Sequence, residues 1–103
     1  MSVRVFTFYK LRPNVDIEEF KEWSRTVDQP TCHRMTACHR FEVFIVKGEA
    51  SGKDAYDVIE DIEVESWEDW QATLVSKEFA QVAEEWPRFG DESSLYSVHC
   101  ERI

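Results

Sequence analysis

Residues 3–11 alternate between two faces in a pattern that predicts a β-strand. The segment is rich in β-branched and aromatic side chains, and Val5, Thr7 and Tyr9 share one face. The other face is also apolar, at Phe6 and Phe8. A strand that is apolar on both faces is usually covered on both sides. We therefore expect helices over one face of this strand and a second subunit over the other.

The next segment carries the signals of a helix. Asp16 is a capping residue with an acidic residue three positions on, and apolar residues from Phe20 to Val27 recur at helical spacing. A residue that precedes proline avoids the helical region, so the helix is predicted to end before Pro30. Residues 31–37 then form an irregular connector.

Two further strands are predicted over residues 38–47 and 55–64, joined by the polar, glycine-containing turn 48–54. On the first of them, His39 shares a face with Phe41. One face of the second is a stripe of five residues: Tyr56, Val58, Glu60, Ile62 and Val64. Glu60 is the one acidic residue of that stripe.

A second helix is predicted to start at Ser66, to restart after a kink near Ser76 and to stop at Pro87. Residues 95–103 form the last strand. The order β-α-β-β-α-β predicts a single α+β domain over residues 1–103 with the ferredoxin-like fold. In that fold both helices lie on one face of a four-stranded antiparallel sheet, with the first and third strands in the centre.

The net charge of the chain argues against some classes of binding partner. The 103 residues include 21 acidic and 12 basic side chains, which gives a formal net charge of −9. Such a surface repels nucleic acid and anionic membranes, so neither is expected as a partner. There is no signal-peptide pattern and no run near the ~20 apolar residues that span a bilayer. Three cysteines are too few for a disulfide framework, so we expect a cytoplasmic protein with reduced thiols.

Glu60 is the first candidate for chemistry. A carboxylate on an apolar face is costly unless it is paired, neutralised or faces a cavity, and a cavity would make it a general acid or base. The alternative is a structural glutamate that meets Arg4, Arg40 or a tyrosine hydroxyl. Tyr9 and Thr7 lie on the strand face that is expected to join the face of Glu60. Tyr9 is then either a donor to a substrate oxygen or a core aromatic residue.

Histidine and cysteine residues give weaker indications. His39 is a second candidate base, since its ordinary pKa lies near neutrality, but a structural histidine is the commoner case. Cys32, His33, Cys38 and His39 are metal-ligand types, yet their spacing matches no standard zinc pattern, so no metal is predicted. His33 is kept among the candidate substrate contacts.

The aromatic content suggests a flat ligand. Trp23, Tyr56 and Trp70 are predicted walls of an apolar pocket of the kind that binds small molecules. The chain has no phosphate-binding glycine-rich loop and no dinucleotide fingerprint, so no cofactor is predicted.

Several segments resemble a known family. The order of elements, together with residues 66–70 and 76–79, is similar to the dimeric α+β barrel superfamily. Residues 27–32, 56–60 and 79–82 resemble more closely the RedY-like proteins of prodigiosin-type pigment biosynthesis. The resemblance implies a homodimer whose sheets pack face to face. It also implies a pocket between each sheet and its helices, and a pyrrole or bipyrrole ligand.

Three functions follow as hypotheses. The first is a cofactor-independent enzyme of the lyase or isomerase type, which dehydrates, cyclises or isomerises an aromatic intermediate with Glu60, Tyr9 and His39 as catalytic groups. The second is a carrier that binds the intermediate without turnover, and the third is a structural protein with a filled core. Cofactor-free monooxygenases of the superfamily often carry a histidine on the helix after the third strand. Residues 70–74 contain none, which argues against oxygenase chemistry.

Overall fold

Four antiparallel strands form one sheet in the computed structural model, which describes residues 2–103. The strands are β1 (Val3–Tyr9), β2 (Cys38–Ile45), β3 (Val58–Val64) and β4 (Tyr96–Cys100). They lie in the order β2-β3-β1-β4, so the first and third strands form the central pair. This arrangement confirms the predicted α+β ferredoxin-like fold.

The strands are shorter than their sequence patterns predicted. Strand β1 ends at Tyr9, although Leu11 still makes an isolated bridge to Gly90. Strand β3 begins at Val58 rather than at residue 55, and Asp54 ahead of it adopts a positive φ of 54°. Alternation of side chains consequently applies only from Val58 onward.

The first helical segment does not end before Pro30, so that prediction was wrong. It comprises α1 (Ile17–Trp23), a π-helical turn (Ser24–Asp28) and α2 (Gln29–His33), which includes Pro30. In the π-helical turn the N–H of Gln29 donates to the carbonyl of Ser24. Pro30 then occupies the first turn of α2, where a helix tolerates a residue without an N–H. The predicted irregular connector therefore begins only after His33.

The second helical segment follows its predicted signals. Helix α3 (Trp67–Leu74) is capped by Ser66, whose hydroxyl accepts from the Asp69 N–H at 3.0 Å. The helix is interrupted at residues 75–76 and helical structure restarts at residue 77, near the predicted position. The remaining elements are a 3-10 turn (Lys77–Phe79), helix α4 (Ala80–Glu85) and two 3-10 turns (Trp86–Arg88 and Glu92–Ser94). Within residues 2–103, no helix combines the length and the apolar character needed to cross a bilayer.

The two faces of the sheet differ. The inner face packs against the helices and holds the buried core, including Val5, Phe41 and Ile62. The other face, called here the open face, carries Arg4, Phe8, Phe44, Asp61 and Tyr96. Arg4 binds Asp61 at 2.7 Å, while the side chain of Phe44 is 51% exposed in the single chain. Aromatic residues exposed together on one face of a sheet are typical of a surface that binds another protein.

Candidate functional site

A cavity of about 220 Å³ lies between the inner face of the sheet and the helices. Its walls are mostly apolar, with a few polar groups from the sheet and from the first helical segment. Thirteen residues line it: Thr7, Tyr9, Asp28, Phe41, Glu60, Trp70, Leu74, Phe79, Val82, Ala83, Trp86, Leu95 and Ser97. An apolar cavity with few polar groups is the usual form of a small-molecule site.

Glu60 and Tyr9 form the first polar pair of this cavity. The antiparallel register places Glu60 of β3 opposite Thr7 of β1, on the inner face of the sheet, and next to Tyr9. The Tyr9 hydroxyl donates to Glu60 Oε2 at 3.2 Å. Burial raises the pKa of Glu60, and the charge of Asp28 raises it further, against the opposing effect of the Tyr9 hydrogen bond. The environment thus favours a neutral, protonated Glu60.

Asp28 is the second carboxyl group of the cavity, and the sequence did not reveal it. It is the last residue of the π-helical turn and only 3% exposed. Its Oδ2 atom has no hydrogen-bond partner among the described residues. Burial raises the pKa of Asp28 to about 7, although a hydrogen bond with Ser24 acts in the opposite direction. Asp28 can therefore gain or lose a proton near neutral pH.

Thr7 and Ser97 contribute two hydroxyl groups to the cavity. The hydroxyl groups of Thr7 and Ser97 lie 2.8 Å apart and share one hydrogen bond. Trp70 and Trp86 supply aromatic surface, and the Trp86 ring meets the Tyr9 ring edge-on at 5.0 Å. The structure thus brings together four of the predicted site residues: Thr7, Tyr9, Glu60 and Trp70.

Two predicted wall residues lie elsewhere. Trp23 is buried beside Phe20 and Phe89, and its indole N–H donates to Glu85 at 2.8 Å, outside the cavity lining. Tyr56 precedes β3, so it does not continue the stripe of Glu60. Its ring packs 5.4 Å from that of Phe8, toward the open face.

The two candidate histidines also lie outside the cavity. A β-bulge between Cys38 and Arg40 places Cys38 opposite Val64 on the inner face and leaves His39 as the extra residue. His39 is therefore not on the face of Phe41, and its Nε2 pairs with Glu65 at 2.9 Å. His33 is exposed, with Nε2 3.1 Å from the Phe41 carbonyl oxygen. Neither histidine is brought to Glu60.

The residue types that bind metals do not form a cluster among the described residues. Over residues 2–103, no three histidine, cysteine, aspartate or glutamate side chains are grouped closely enough to hold a metal ion. Burial raises the pKa of Cys38 to about 11, which keeps its thiol protonated and poorly nucleophilic. The polar chemistry of the cavity accordingly depends on its two carboxyl groups and the Tyr9 hydroxyl.

Comparison with solved structures extends the fold assignment. HapK from Hahella chejuensis has a TM-score of 0.80 and 19% identity, over 100% of this chain and 93% of its own. An EthD family protein from Bacillus halodurans has a TM-score of 0.74 and 16% identity, over 100% of both chains. A ferredoxin-like protein of unknown function from Bacteroides fragilis is described as dimeric. It has a TM-score of 0.69 and 16% identity, over 98% of this chain and 96% of its own. At these identities the similarity concerns the fold alone.

Sequence comparison identifies the family. No curated protein is significantly similar to the chain in sequence. The family model described as "REDY-like protein HapK" matches residues 3–103, which is nearly the whole chain. The chain therefore belongs to the family of REDY-like HapK proteins.

Proposed function

We propose that the protein is a cofactor-independent enzyme that moves protons on a flat, pyrrole-type intermediate held in the 220 Å³ cavity. The observation that carries this proposal is the pair of buried carboxyl groups, Glu60 and Asp28, in a mostly apolar cavity. Carboxyl groups with raised pKa values in a cavity are the usual acids and bases of enzymes that work near neutral pH. Membership of the HapK family and the aromatic walls support a pyrrole or bipyrrole as the ligand.

The two carboxyl groups suit different roles. Neutral Glu60 gives a proton to the substrate, and Tyr9, which donates to Glu60 Oε2, stabilises the carboxylate that remains. Ionised Asp28 accepts a proton from the substrate through its unpartnered Oδ2. In a dehydration, Glu60 protonates a leaving hydroxyl on the carbon beside a pyrrole ring. The C–O bond breaks, water leaves and Asp28 takes the ring N–H proton. Exchange of a proton between the two acids restores the starting state.

The active form is proposed to be a homodimer joined through the open face. Phe8, Phe44 and Tyr96 cluster there, and Phe8 lies 6.0 Å from Tyr96 between ring centres. Apolar surface of this kind is covered in most stable proteins. The comparison protein described as dimeric has the same fold, which supports a homodimer.

Replacement of Glu60 tests the catalytic role. A bipyrrole that carries a hydroxymethyl group is incubated with the wild type and with Glu60→Gln, and loss of water is followed by mass spectrometry. If Glu60 is the acid, Glu60→Gln lowers the rate about 10²–10⁴-fold. The matched control is Glu84→Gln on helix α4, an exposed glutamate outside the cavity lining, which should keep the wild-type rate. Full activity in Glu60→Gln would show that Glu60 does not transfer the proton.

A carrier is the second candidate, because the same cavity can hold a reactive intermediate without turnover. Quenching of the intrinsic fluorescence of Trp70 and Trp86, both in the cavity wall, reports occupancy independently of reaction. Saturable quenching with no change in ligand mass favours the carrier. Quenching accompanied by loss of water favours the enzyme.

A further inference from the structure

The charged residues that line the cavity, among residues 2–103, are all acidic. Two acidic residues, Asp28 and Glu60, contribute to its wall, and no lysine, arginine or histidine is among the described residues that line it. Both acids are more than 90% buried, so bulk water does little to screen a charge on either of them. A negative charge in this cavity has no protein cation to balance it.

The hydrogen bonds of the cavity also indicate what kind of ligand fits. One hydrogen bond joins the hydroxyls of Thr7 and Ser97, and the Tyr9 hydroxyl donates to Glu60. Oδ2 of Asp28 is the buried side-chain oxygen that is left without a donor among residues 2–103. A buried acceptor without a partner is costly, and a charged one more so. The complementary ligand therefore brings an N–H or O–H donor to this atom.

The walls favour the same kind of ligand. Five aromatic residues line the cavity: Tyr9, Phe41, Trp70, Phe79 and Trp86. Aromatic rings attract cations through their electron-rich faces, and flat heterocycles pack well between them. Aromatic walls around buried carboxylates are a common way to bind an organic cation.

We propose that the cavity recognises its ligand as a planar heteroaromatic cation with ring N–H donors, held by Asp28 with Glu60 beside it. The proposal rests on the proposed function in treating this cavity as the ligand site, and it adds the charge state of the ligand. It also gives the carboxyl pair a second task. Loss of water from a pyrrole carbinol leaves a planar N–H cation, and the ionised Asp28 stabilises that species.

A matched pair of probes tests the charge directly. Near neutral pH, where Asp28 also gains or loses its proton, 2-aminoquinoline takes up a proton and presents two N–H donors side by side, whereas 2-aminonaphthalene has nearly the same shape and an amino group but stays neutral. Calorimetric titration of the wild type should give about ten- to a hundredfold tighter binding of 2-aminoquinoline, the range expected for a charge-assisted hydrogen bond. In the double variant Asp28→Asn/Glu60→Gln the two probes should bind within about twofold of each other. The control Glu84→Gln should keep the wild-type preference.

The possible outcomes separate the two proposals. Equal binding of both probes to the wild type overturns the charge inference but leaves the cavity as a ligand site. A preference that survives in the double variant also overturns it, because the cation then binds elsewhere. Binding of neither probe removes the ligand site on which the proposed function depends. If the double variant does not fold, shifts of the Trp70 and Trp86 indole N–H signals on titration of the wild type locate the cation instead. Unchanged indole signals count against the proposal.

Discussion

The buried carboxyl of Asp28 makes a quantitative prediction about stability and pH. Its pKa is raised by burial from 3.8 to about 7. Between these two values the folded protein holds a proton on Asp28 that the unfolded chain has lost. Because the folded state binds more protons, stability falls as pH rises through this window, and the loss is complete above about pH 7.

The size of this loss of stability follows from the pKa shift of Asp28. A change of about three pKa units, at 1.36 kcal/mol for each unit, corresponds to about 4 kcal/mol. Asp28 is only 3% exposed, so little of this is lost to solvent screening. The pKa of Glu60 is raised as well, and its effect has the same sign. The wild type should therefore be markedly more stable near pH 4 than near pH 8 as far as these two groups are concerned.

Replacement of Asp28 by Asn isolates its share. The amide keeps the shape of the side chain but does not titrate, so the variant lacks the corresponding decline. The free energy of unfolding of both proteins is measured by urea denaturation at a series of pH values from about 4 to 8. The difference, variant minus wild type, should rise by about 4 kcal/mol across this range and then level off.

The exposed residue Glu84 supplies the control for this experiment. Glu84→Gln removes one acidic group at an exposed position, and its difference from the wild type should change by less than about 0.5 kcal/mol over the same range. If the Asp28→Asn difference stays flat with pH, the carboxyl of Asp28 ionises normally in the folded protein. The assignment of a near-neutral acid to the cavity is then wrong.

Two further predictions concern the open face and the packing of Trp86. Phe44→Glu puts a charge on a side chain that is 51% exposed in the single chain, and it should weaken a dimer formed through this face about a hundredfold. Light scattering over a dilution series measures this, and an unchanged dimer would exclude the open face as the interface. Gly90→Ala places a Cβ against the Trp86 ring, so it should destabilise the fold by about 1–3 kcal/mol in urea, whereas Gly48→Ala, with open space around it, should have little effect. Equal stability of the two glycine variants would contradict the close contact.

Sequence periodicity predicted most of the fold for a simple physical reason. Strand alternation and helix caps are local properties, and Ser66 caps α3 as its spacing indicated. Glu60 was found by the same logic, because an acidic residue within an apolar stripe must face the interior. Thr7 and Tyr9 followed, since the central strands of this fold are fixed by the order of elements.

Local irregularities explain what periodicity missed. The bulge after Cys38 adds one residue to β2, which moved His39 off the face that strict alternation gave it. The late start of β3 moved Tyr56 in the same way. Asp28 was missed because nothing in its own neighbourhood shows that the backbone leaves α-helical geometry there. The sequence Asp28-Gln29-Pro30 indicated a helix end instead.

The π-helical turn has a geometric consequence for the position of that acid. Phe20, Ser24, Asp28 and Cys32 are all buried, at intervals of four residues. In a regular α-helix each residue advances the side chain by 100°, so a step of four overshoots a full turn by about 40°, and three steps by about 120°. The wider turn absorbs much of this angular error. A regular α-helix over the same residues would turn Cys32 about 120° away from the direction of Phe20 and out of the core. The angular phase of one helix is thus what aims the second carboxyl group at the cavity.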